Sequence, residues 1–121
     1  MDKPSDHLIR TAAIEAGKLD LDSQEVEDFI ALLREQNVTI DPTAAIFFEQ
    51  LEHHSGDPNP TFAPVIDHLP ATVARGYYKA DMDMGDKVAE WAASGVAQSA
   101  MLKKLHDSGV QIVPGSDNVA A

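Results

Sequence analysis

The chain has 121 residues, nine of them lysine or arginine and twenty aspartate or glutamate, for a net charge of −11. That charge repels phosphate backbones and anionic membranes and argues against nucleic-acid and membrane partners. A hydrophobic content of 44% suffices for a globular core, no apolar run reaches the roughly 20 residues needed to cross a bilayer, and the absence of cysteine excludes disulfides and thiolate metal sites.

The opening Met1-Asp2-Lys3-Pro4-Ser5-Asp6 lacks the charged-then-apolar pattern of a secretory signal, and a cytoplasmic location is the expectation. A first helix is predicted over about residues 6–16, entered through Pro4 and Ser5, closed by Gly17, with Leu8, Ile9, Ala12 and Ala13 on its apolar side. A second begins at Asp22 or Ser23, where Asp22 with Glu25 resembles a capping box. Val26, Phe29, Ile30 and Leu33 then repeat at i, i+3, i+4, i+7, the spacing of one helix face. The β-rich run Val38-Thr39-Ile40 follows and stops at Asp41-Pro42, because proline cannot donate to a sheet ladder.

From Thr43 to about His53 the pattern is helical again, with Ala44, Ile46, Phe47, Phe48 and Leu51 apolar. Residues 55–64 are dense in turn formers, a long loop of the kind that often carries function. A short helix is predicted over Ile66 to Arg75, started or kinked by Pro70 and closed by Gly76. The last helix runs from about Asp86 to Asp107 with Val88, Trp91, Ala92, Val96, Leu102 and Leu105 at helical spacing, and Gly109 occupies the cap position. Val110 to Val113 form a second strand. No internal repeat or interdomain linker interrupts residues 1–121, which read as a single unit.

Strand, helix-rich excursion, long helix, strand is the order that two parallel neighbours require, since a parallel pair needs a crossover of a dozen or more residues. The second strand breaks at Pro114-Gly115-Ser116 and delivers Asp117. An acid at the carboxyl end of a strand is fixed by the strand and left open to substrate by the loop, as in α/β barrels. Read alone, Pro-Gly-Ser-Asp is also an ordinary turn.

Val38-Thr39-Ile40-Asp41-Pro42-Thr43, followed by Leu102-Lys103-Lys104-Leu105-His106-Asp107-Ser108-Gly109-Val110-Gln111-Ile112-Val113-Pro114-Gly115-Ser116-Asp117, resembles the metal-dependent amidohydrolase superfamily, and within it the imidazolonepropionase-like and prolidase-like members. The resemblance implies an α/β fold: a partial (β/α)8 TIM barrel, about strands seven and eight with surrounding helices. It implies hydrolysis of a C–N bond in an amide, cyclic amide or dipeptide-like small molecule by metal-activated water. Asp117 matches the strand-eight aspartate that contacts a divalent metal, zinc by this analogy, and handles the proton of the attacking water.

The resemblance also implies that most of the metal site lies elsewhere. The family's His-x-His pair is not found among His7, His53, His54, His68 and His106, and no histidine ends a predicted strand. His53-His54 falls at a helix end where exposure is expected, and His106 reads as a surface residue. His68, just after the proline-rich loop, is a candidate substrate contact. The chain is accordingly expected to be a fragment of the full-length enzyme, inactive alone, binding no metal tightly by itself, and marginally stable or self-associating through exposed strand edges.

Other signals are weaker. Asp81-Met82-Asp83-Met84-Gly85-Asp86 resembles a calcium loop, but Gly85 comes one place early and Ala92 stands where a glutamate is needed. Phe47-Phe48 and Tyr77-Tyr78 read as core and rim aromatics, and Trp91 as packed between helix and barrel. The alternative from a different class is an acidic, mostly helical interaction module without enzymatic activity.

Overall fold

The computed structural model describes residues 4–80 and 85–116. Helix α1, Pro4–Ala16, starts on a proline whose fixed φ suits a first turn. Helix α2, Gln24–Glu35, is capped by Ser23, whose hydroxyl accepts from the Val26 amide at 3.4 Å. Ser23, not Asp22, therefore caps the helix, and the Asp22 carboxylate receives Lys104 Nζ at 3.3 Å. Asn37, at φ 53, lets α2 end with the Val38 amide donating to the Leu33 carbonyl at 2.9 Å; asparagine tolerates this left-handed geometry better than most residues.

Strand β1, Thr39–Ile40, leads through Asp41-Pro42-Thr43 into α3, Ala44–Glu52. The predicted helix at Ile66 to Arg75 is instead three short pieces. A 3₁₀ turn, Ile66–His68, is followed by α4, Ala71–Ala74, and by a 3₁₀ turn, Arg75–Tyr78, that runs through Gly76 rather than ending there. Pro70 separates the first two pieces because proline restricts Leu69, which is extended at φ −89, ψ 150. A 3₁₀ turn, Gly85–Lys87, then opens α5, Val88–Asp107, and Gly109 at φ +83 ends it before strand β2, Gln111–Ile112.

β1 and β2 pair in parallel with Thr39 opposite Gln111 and Ile40 opposite Ile112, as the intervening crossover requires. The Thr39 hydroxyl also donates to Gln111 Oε1 at 2.9 Å. The expected partial barrel is not present. Among the described residues the sheet has two strands of two residues each, and α1 and α3 pack directly on α5. The physical reason is the supply of β-rich sequence. Only Val38 to Ile40 and Val110 to Val113 favour strands, and the other apolar residues recur at helical spacing and find their burial against α5.

Among the described residues, the buried apolar side chains other than Ile66 fall into two clusters along α5. At its C-terminal end Leu105 and Val110 pack with Val26, Ile30 and Leu33 of α2, flanked by Ile40, Met101 and Ile112. At its N-terminal end Trp91 packs with Ile14 of α1 and Leu51 of α3, flanked by Ala13 and Phe48. Trp91 is thus held between helices rather than against a barrel, 2% exposed, with its indole N–H donating to the Gln50 carbonyl at 3.0 Å.

Small residues allow the three helices to meet. A Cβ on Gly17 would lie 3.0 Å from the Ser94 Cα, and one on Gly95 would lie 3.3 Å from Leu51 Cδ1. Ser94, at the crossing, is fully buried. Several apolar residues of the predicted faces point outward instead: Leu8 is 70% exposed, Phe29 45% and Val96 73%. No described helix is long and apolar enough to cross a membrane.

Candidate functional site at the carboxyl edge of the strand pair

Parallel pairing sends both strands out of the sheet at the same edge, the place where open α/β sheets bind ligands. The Val113 amide donates to the Ile40 carbonyl at 2.9 Å, which carries the pairing one residue past β2. Beyond that point β1 exits through Asp41-Pro42-Thr43 and β2 through Pro114-Gly115-Ser116. The Asp41 carboxylate lies over Gly115, so that a Cβ there would collide with both of its oxygens.

Asp41 is held by its own turn. Its Oδ1 accepts from the Thr43 amide at 3.1 Å, and Thr43 takes φ 44, ψ 39. A β-branched residue in the left-handed region is a strained outlier worth about 1–3 kcal/mol, and such strain clusters where function or a tight junction demands it. Sequence reasoning passed over Asp41. The signal available was an Asp-Pro directly after one strand and a Pro-Gly directly after its parallel neighbour.

Asp117, the residue singled out from the sequence, lies outside the described residues, as do Asp81, Met82, Asp83 and Met84 of the calcium-like loop. Ser116, which precedes Asp117, is exposed. His68 is exposed on the Ile66–His68 turn. His106 is exposed on α5 beside Asp107, with 3.5 Å between Nδ1 and Oδ1. His54 is exposed, but His53, expected to share its exposure, is buried. The chain turns extended at His53 and folds back, placing Nε2 3.1 Å from the Asp57 carbonyl oxygen.

That fold-back organises the proline-rich loop around Asn59, also buried. Its amide group donates to Glu49 Oε1 at 2.6 Å, its Oδ1 accepts from the Thr61 amide at 2.9 Å, and its backbone amide donates to the Tyr77 carbonyl at 2.7 Å. Phe62 stacks on Tyr77 with ring centroids 4.0 Å apart. The loop is therefore a packed unit joined to the Arg75–Tyr78 turn.

An open cleft of about 260 Å³ borders the first strand exit, lined by Leu19, Leu21, Pro42, Ala44, Met101 and Leu102. Its walls are mainly apolar, with Gln98 adding a polar amide, in keeping with a site for an uncharged group. A catalytic zinc takes three protein ligands and an open position, and among the described residues no group of three histidine, aspartate or glutamate side chains is placed to hold a metal ion. The described residues alone do not fit a metal centre.

The chain matches no protein-family model, no curated protein and no solved structure.

The charged groups with displaced titration lie away from the strand exits. Lys104 reaches from α5 to Glu27 at 2.6 Å and to Asp22 at 3.3 Å, and the hydrogen bond its ammonium donates to Glu27 is the main cause of a pKa above the ordinary lysine value. The Lys103 ammonium holds the Asp107 carboxyl below its usual range, with His106 adding to the effect. Lys18 is raised, chiefly by its hydrogen bond to Glu15 at 2.8 Å.

Proposed function

We propose that the chain contributes the carboxylate-bearing edge of a metal-dependent hydrolase that cleaves C–N bonds in small amide, cyclic amide or dipeptide-like substrates. The observation that carries this reading is the parallel register of β1 and β2, which delivers Asp41-Pro42-Thr43 and Pro114-Gly115-Ser116 to one edge, with Asp117 next in sequence. Asp117 is the proposed proton acceptor for the attacking water and proton donor to the leaving amine, the role a carboxylate fills near neutral pH beside a Lewis acid. The metal would supply an acidified water. Its remaining ligands would have to come from outside the described residues. The apolar cleft beside Pro42 suits the uncharged part of such a substrate.

The test is hydrolysis of a panel of dipeptides and cyclic amides with added Zn²⁺, using the protein at the length at which its gene is expressed. The expected result is turnover that a chelator removes and that Asp117→Asn lowers by about 10²-fold or more. Turnover indifferent to chelator and to Asp117→Asn would overturn the reading. The 121-residue chain alone is expected to show none.

The alternative, an acidic helical interaction module, is favoured by that same cleft, whose apolar walls include the half-exposed Leu19. A sharp, cooperative melt of a dilute monomer, together with no hydrolysis by any form of the protein, would make the module the better account.

A further inference from the structure

Helices α1 and α3 both pack on α5, and a groove with α5 as its floor runs between them. The cleft beside Pro42 is one end of it. A second cleft of about 340 Å³ shares Pro42 and Gln98 with the first and is lined by Ala12 and Ala13 of α1, Phe47 and Leu51 of α3, and Trp91 of α5. From Trp91 to Leu102 the floor is about 16 Å long, three turns of helix. Leu19, just beyond α1, and Phe47 stand on opposite walls and are 49% and 41% exposed.

Acids flank this groove, and the lysines nearby are already engaged. Asp20 stands between the lining Leu19 and Leu21, and Asp41 precedes the lining Pro42 on the opposite wall; both acids are exposed. Asp20 accepts from the Asp22 amide at 3.0 Å and Asp41 from the Thr43 amide at 3.1 Å, and among the described residues neither pairs with a cation. Lys18 is held by Glu15 at 2.8 Å, and Lys104 by Glu27 at 2.6 Å and Asp22 at 3.3 Å. An apolar floor between uncompensated acids suits a partner that is apolar on one side and positive at its margins. A second copy does not fit, since it would bring a further −11 to the same face.

On the reading of the chain as an interaction module, we infer that the groove between α1 and α3 binds an amphipathic helix of another protein, with aliphatic anchors on one face and lysine or arginine flanking them. The walls are mostly side chains of helices. Where the groove nears the strand pair it meets Pro42, which has no N–H to offer. An extended peptide would therefore bury backbone groups without partners, whereas a helix satisfies its own. Three turns supply anchors at i, i+3, i+4 and i+7, enough to enter both clefts.

The probe is a peptide of about 14 residues, leucine and lysine only, with leucines at that helical spacing; a scrambled peptide of the same composition and a version with glutamate for lysine are its controls. Trp91, the single tryptophan, lines the second cleft and reports docking by its emission. The 121-residue chain is expected to bind the amphipathic peptide one to one with a Kd of about 10 μM or below, and the controls at least about 10-fold more weakly. Equal binding of the scrambled peptide would reduce the effect to net charge and overturn the inference, as would no binding. A dimer at that concentration that Leu19→Ser dissociates would make a second copy the occupant and overturn it too.

Leu19→Ser and Phe47→Ser lie in neither core cluster, so each should keep the helical circular dichroism while weakening binding about 10-fold. Should either lose its helix, Asp20→Asn with Asp41→Asn decides: about a threefold or greater loss at low salt, against no more than about twofold for Glu25→Gln with Glu35→Gln on α2. Equal losses in the two pairs would overturn the inference. Docking and the hydrolysis panel are read apart: absence of docking overturns this inference alone, and chelator-sensitive turnover overturns the module reading on which it rests.

Discussion

The two ends of α5 are buried by different means. At the C-terminal end one amphipathic helix, α2, lays Val26, Ile30 and Leu33 against Leu105 and Val110, and Lys104 ties the pair at the surface. At the N-terminal end α1 and α3 approach so closely that Gly17, Ser94 and Gly95 replace bulk with proximity, and a single tryptophan fills the remaining space. The first arrangement is made of interchangeable aliphatic contacts. The second depends on particular residues and tolerates less change.

The largest expected effect follows from that difference. Trp91→Ala should cost about 3–5 kcal/mol, through the cavity it leaves and through the Gln50 carbonyl that loses its donor, as read from chemical denaturation. Ile30→Ala, in the aliphatic cluster, should cost about 2–5 kcal/mol. Because α5 spans both clusters, amide hydrogen exchange should show each substitution loosening all of α5; exchange confined to one half would break the comparison into two independent units.

A smaller loss, about 1–3 kcal/mol, is expected for Asn59→Ala, which strands Glu49 and frees the Thr61 amide. Proteolysis should then cut within residues 55–64 before it cuts α5. The smallest effect is electrostatic. The pKa of Lys104 is raised on folding, so its contribution is complete below the ordinary lysine value of 10.5 and is lost as pH rises through the higher folded value. Melting curves of the native chain and Lys104→Met should differ at pH ~8 and converge by pH ~12.

Local signals were the legible ones. The α2 period found Val26, Ile30 and Leu33, Gly109 marked the end of α5, and the length of the crossover foretold that β1 and β2 pair in parallel. What failed was the surroundings of those elements. Phe29 and Val96 share the spacing of buried neighbours, but a helix face is only as wide as the partner opposite, and among the described residues Phe29 stays 45% exposed and Val96 73%. His53 is hidden because the chain doubles back over it, a tertiary event that a helix-end position does not encode. The barrel was inferred from two strands whose local patterns were correctly read, whereas closing a barrel depends on further strands. Asp41 was overlooked because its relation to Gly115 crosses 74 positions of chain, although each loop on its own looks like a routine stop.

That separation has a kinetic consequence. Thr39 and Gln111 are 72 residues apart, so their pairing must await closure of most of the chain between them, while α2 and α5 can begin from local contacts. The strand pair should therefore form after the rate-limiting barrier, with substitutions at Thr39 or Gln111 speeding unfolding and leaving the folding rate nearly unchanged. The strand exits would then be among the last parts of the molecule to assemble and the first to open.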